Sequence, residues 1–92
     1  MTDEKVIQTA RDYANSYNKW VQFRSCQAWI SFMLDSRYKL IKSYKTIVGL
    51  VDYDEKVVYE IGKYSQTTSK QFTQICNCFY RGFERKYIEG RV

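Results

Sequence analysis

Few residues in this chain could carry chemistry. Histidine is absent, which removes Ser-His-Asp and Cys-His nucleophile pairs, imidazole-bound metals and the usual general base near neutral pH. The cysteines are Cys26, Cys76 and Cys78. On a helix Cys76 and Cys78 would diverge by about 200°, at ~3.6 residues per turn. With only Cys26 left to complete a site, zinc is disfavoured and the thiols read as buried apolar groups. Asp52, Asp54 and Glu55 fall in one polar stretch beside Lys56, the pattern of a solvated turn. No glycine-rich phosphate loop or other cofactor motif occurs. These absences predict a protein that is not an enzyme and holds neither metal nor cofactor.

Recognition is what remains, and its candidates are basic. Arg37, Lys39, Lys42 and Lys45 cluster along the second-strand stretch, while Lys70, Gln74, Asn77 and Arg81 recur at helical spacing with Arg85 a turn further. Either series fits a surface for phosphate or an acidic protein. Either also fits a blander role, as lysines guarding a sheet edge or as the wet face of a helix. Thr67, Thr68 and Ser69 form a third candidate, a helix start whose amides and hydroxyls could face an anion, although capping the helix is their simpler use.

The elements that would carry these residues follow from periodicity. Thr2 can cap a helix with Asp3 and Glu4 in its first turn, and Val6, Ala10, Tyr13, Tyr17 and Trp20 extend it to about residue 20. From Gln27 to Leu34 the period becomes two, which predicts a strand; a longer first helix reaching Met33 is the alternative. Asp35-Ser36 turns the chain into a second strand, Arg37–Lys42, with Tyr38 and Leu40 on one face and Arg37 and Lys39 on the other. Thr46–Asp52 is apolar on both faces and therefore central, and Val57–Ile61 is a fourth strand. Thr68 and Gln71 form a capping box that opens a helix to about Arg85, with Phe72, Ile75, Cys76, Phe79 and Phe83 as its apolar stripe. The prediction is one α+β domain over residues 1–92: an N-terminal helix, a three- or four-stranded antiparallel meander, and a C-terminal helix, with both helices covering one sheet face.

Composition supports such a domain. Sixteen of the 92 residues are aromatic, nine of them tyrosine, enough for a rich core and more than it can hide completely. The net charge of +5 favours acidic partners. Residues 1–35 are neutral, residues 36–64 net +2 and residues 65–92 net +3, so the positive field belongs to the later part of the chain. Three cysteines and no leader-like opening point to a reducing cytoplasm, and no apolar run approaches bilayer length.

Two segments also resemble a known group. Ser43-Tyr44-Lys45-Thr46-Ile47-Val48, an aspartate-bearing turn, and Tyr64-Ser65-Gln66-Thr67-Thr68-Ser69-Lys70 are similar to a family of small, mostly uncharacterised bacteriophage and mobile-element proteins. The resemblance spans about residues 27–75. Where the family commonly has histidine after the threonine pair, this chain has Gln71, so any role needing an imidazole there is lost. The resemblance implies a phage or mobile-element origin and a host-cytoplasmic binding protein, an inhibitor or modulator of a host protein in defence (anti-CRISPR-like) or nucleic-acid processing. Direct nucleic-acid binding is the alternative, sequestration of a nucleotide signal a further one, and a homodimer fits the surplus of aromatics.

Overall fold

The computed structural model describes residues 2–16, 19–32, 37–62 and 66–92. The elements run α1 (Asp3–Ala14), β1 (Lys19–Gln22), β2 (Ala28–Phe32), β3 (Tyr38–Ser43), β4 (Thr46–Asp52), β5 (Val57–Ile61), α2 (Gln66–Phe79) and β6 (Glu84–Ile88). The strands form one six-stranded sheet in the order β1-β2-β3-β4-β5-β6. The first five strands are joined antiparallel, whereas β6 lies parallel to β5. A parallel neighbour needs a crossover, and α2 supplies it.

The α+β class holds, with corrections. The sheet has six strands rather than three or four, and α2 lies between strands instead of closing the chain. The two helices pack on opposite faces, not one. Val6 and Ala10 of α1 join Leu40, Leu50, Val57, Tyr59, Ile61 and Ile88 in one apolar cluster. Phe72 and Ile75 of α2 join Ile41, Val48, Val51 and Val58 in the other. Neighbouring residues of β3, β4 and β5 divide between the clusters because successive strand side chains point to opposite faces. This explains why Thr46–Asp52 is apolar on both sides, and its central place matches the expectation.

Local chemistry sets the helix ends. The Thr2 hydroxyl accepts from the Lys5 amide at 3.2 Å, and Asp3 and Glu4 sit in the first turn of α1. The helix stops at Ala14, short of residue 20; Trp20 belongs to β1, and no long helix continues through the twenties. Helix α2 begins at Gln66, so Thr68 lies inside its first turn and is not the cap. It ends at Phe79, where the Tyr80 amide still reaches the Cys76 carbonyl (2.9 Å). Gly82 then adopts a φ of +86°, readily available only to glycine, and Arg85 falls on β6. The expected turn at Asp35-Ser36, the strand end at Met33 and Leu34, Tyr17, and the Tyr64-Ser65 pair lie outside the described residues.

One irregularity matters for the core. Ile41 pairs with Gly49 but Lys42 with Ile47, which leaves Val48 as the extra residue of a β-bulge. Val48 and Gly49 therefore both face α2. The ring of Phe72 fills the space beside Gly49, where an added Cβ would meet Phe72 Cε2 at 2.5 Å and Ile41 Cβ at 3.3 Å.

Candidate functional site

The sheet divides the predicted basic stretch between its two faces. Lys39 lies on the α2 side with its ammonium 5.1 Å from the centre of the Tyr53 ring. Lys42 lies on the α1 side with its ammonium 4.2 Å from the Trp20 ring centre and 5.3 Å from that of Trp29. Arg37, one residue before β3, is held elsewhere: its Nη2 and Nε donate to the two oxygens of Asp52 at 2.9 and 3.2 Å, and its Nη1 lies 3.6 Å from Asp54. Lys45 is exposed in the turn between β3 and β4. The four residues thus make no single patch.

Asp52 is a structural group. It is fully buried at the end of β4 and also accepts the Asp54 and Glu55 amides at 3.1 and 3.2 Å, so one carboxylate caps the turn into β5. Burial alone would raise its pKa, but the Arg37 hydrogen bond and the two amides outweigh burial and hold it below the usual carboxylate value. The hydrogen bond to Asp52 in turn raises the Arg37 pKa. Together with Glu55, Tyr59, Glu84 and Lys86 the pair lines a mixed-charge groove of about 340 Å³.

The helix-borne candidates also separate. Lys70, Gln74, Asn77 and Arg81 are exposed. Arg85 is committed to packing α2 against the sheet: it donates to Glu60 and to the Thr73 hydroxyl, both at 3.0 Å, and lies 4.9 Å from the centre of the Phe72 ring. Of the three residues at the helix start, Thr67 is exposed and Ser69 half-buried. Thr68 is buried, its hydroxyl 3.2 Å from that of Ser43 on β3, so it ties the helix to the sheet. The thiols differ as well. Cys76 is half-buried and pushed up to about 11 by desolvation, while Cys78 is exposed and receives an Arg24 Nη2 contact at 3.3 Å. Among the described residues no group of three or more Cys, Asp or Glu is placed to hold a metal ion, and no helix is long and apolar enough to cross a membrane.

Two further surface features involve β1 and β2; of their residues the sequence had pointed only to Lys45 and Tyr44. On the α2 side Phe79 (59% exposed) and Val21 (45%) stand beside Phe23, Arg24 and Ile30 around a hollow of about 130 Å³. The Phe23 and Phe79 rings meet edge-on at 5.8 Å, and the Arg24 guanidinium lies 4.9 Å over Phe23. At the turn end of the sheet a wider, open groove of about 440 Å³ is lined by Gln27, Trp29, Tyr44, Lys45 and Thr46. Period-two alternation had already set Trp29 opposite Ile30. What could not be read was β1, four residues long with no turn signal, which brings Trp20 and Val21 to this end. The chain was compared with family models, curated proteins and solved structures, and nothing matches.

Proposed function

We propose that this chain is a non-enzymatic binding protein that docks on a host protein and modulates it stoichiometrically, consistent with the phage or mobile-element origin that its motifs suggest. The observation that carries the reading is Phe79. It continues the apolar stripe of α2, yet it ends 59% exposed beside Val21, itself 45% exposed, instead of in the core. Aromatic and arginine side chains around a small apolar hollow are the usual centre of a protein interface. Here the hollow fits one apolar side chain, and Arg24 at its rim favours a neighbouring carboxylate. A host factor in defence or nucleic-acid processing that presents an apolar residue flanked by acids would meet both demands.

Photo-crosslinking tests this. An aromatic photo-crosslinker is placed at Phe79, at Val21 and, as a control, at Gln8 on α1, each in the full chain expressed in host cells. The expectation is one host protein captured from both 79 and 21 and not from 8, with Phe79→Glu weakening its binding at least tenfold, on the order of a hot-spot residue, while the melting temperature is kept. Captures from 79 that are no different from those at Gln8 would overturn the reading.

A further inference from the structure

We propose a second site: the open groove at Trp29 and Tyr44, with Lys42 and Lys45, is a stacking platform for single-stranded nucleic acid. It does not rest on the docking reading, because it uses different residues, and Trp29 and Lys42 lie on the sheet face opposite Val21 and Phe79.

Four observations converge on it. Trp29 and Lys42 are directly paired across β2 and β3, and the ammonium lies 5.3 Å from the centre of the Trp29 ring and 4.2 Å from that of Trp20 on β1. Tyr44 is 57% exposed in the two-residue turn with Lys45, and its amide donates to the Gln27 carbonyl at 2.8 Å. That bond fixes the turn against the end of β2, where both rings line the same groove. Tyr44 holds a φ of +54°, a left-handed conformation unusual for a bulky residue. None of the lining residues is acidic: Gln27, Trp29, Tyr44, Lys45 and Thr46 present only neutral and positive groups, in a chain of net charge +5.

The exposed Tyr44 ring beside the half-buried Trp29, with Lys42 and Lys45 flanking them, suits an unpaired base and its phosphates. Every base has a π-face to stack, and the ammonium groups neutralise the backbone. A duplex offers the phosphates but keeps its bases stacked on one another, so this chemistry selects single strands. Only part of the pattern was legible in the sequence: Lys42, Tyr44 and Lys45 are close together, while Trp20 on β1 and Trp29 on β2 reach them through strand pairing.

The test has a built-in reporter, since Trp20 and Trp29 are the two tryptophans of the chain. The full-length protein is titrated with labelled oligo(dT) and oligo(U) of about 12 nucleotides, within the span of one such site. Duplex DNA of the same length and polyglutamate serve as competitors. Expected are quenched tryptophan emission with a rise in anisotropy, binding that weakens with salt, and a loss of about fivefold or more for Tyr44→Ala and for Lys45→Ala. Lys5→Ala, which removes one exposed charge from α1, changes affinity by no more than about twofold. Both groove variants are surface changes, and an unchanged melting curve shows that the loss is not unfolding. The proposal is overturned by no binding at low salt, by binding without quenching, or by equal affinity for duplex or polyglutamate, which would leave charge attraction alone. None of these outcomes bears on crosslinking at Phe79.

Discussion

Asp52 shows how much one side chain can decide here. It lies in a polar run that reads as a solvated loop, and Asp54 and Glu55 are indeed exposed, yet Asp52 itself is buried and clasped by Arg37. Removing its charge leaves Arg37 and two turn amides with a poorer acceptor, so Asp52→Asn should destabilise the protein by about 1–3 kcal/mol, read from urea unfolding at pH 7. The sign with pH follows from the depressed folded-state pKa. The carboxylate contributes fully above its unfolded value of about 3.9 and loses that contribution as pH falls through the folded value. The gap between wild type and Asp52→Asn should therefore be constant near neutrality and shrink below about pH 4. Tyr80 sets the opposite limit. Burial first, then its hydrogen bond with Tyr53, raises its pKa, so its contribution persists below the ordinary tyrosine value of about 10 and declines as pH rises towards the folded one.

Among the elements, β4 is the most constrained. Its bulge turns Val48 and Gly49 toward α2, and Phe72 packs where a Gly49 side chain would go. Phe72 is itself fully buried and hemmed by the sheet, so it cannot yield. Gly49→Ala should cost about 1–3 kcal/mol through overpacking, measurable as a lowered urea midpoint at unchanged slope. The sequence located β4 and β5 to the residue, because strands buried on both faces read as short continuous apolar runs, and β2 and β3 closely, through their period of two. Periodicity failed at β6, where Phe83 and Arg85 happen to continue the three- and four-residue spacing of Phe79 and Arg81. Glycine weakens a helix, and Gly82 lies just beyond the end of α2, but that β6 follows it depended on β5 offering a parallel neighbour. As the last strand, β6 carries Glu84, Arg85 and Lys86 along the sheet edge, charges that discourage pairing with another chain.

At the scale of the whole molecule, two helices on opposite faces make a three-layer arrangement whose two cores share every central strand. Leu40 and Ile41, or Leu50 and Val51, are chain neighbours in different clusters, so neither core can be lost alone. Urea unfolding should then be a single transition. Tryptophan emission, from the α1 side, and thiol labelling of the half-buried Cys76, from the α2 side, should give one midpoint, with exposed Cys78 already labelled in the native protein. Separate midpoints would mean that one layer detaches independently.

The sequence by itself determined the absence of histidine, the positive charge, the first helix cap and the central strands, because these depend on residue types and on spacing within a few residues. Which face each helix covers, the existence of β1 and β6, the burial of Asp52 and the gathering of Trp20, Trp29, Lys42 and Tyr44 were decided only in three dimensions. Each depends on pairing between segments distant in the chain, where register and hydrogen bonding, not local periodicity, choose the neighbours.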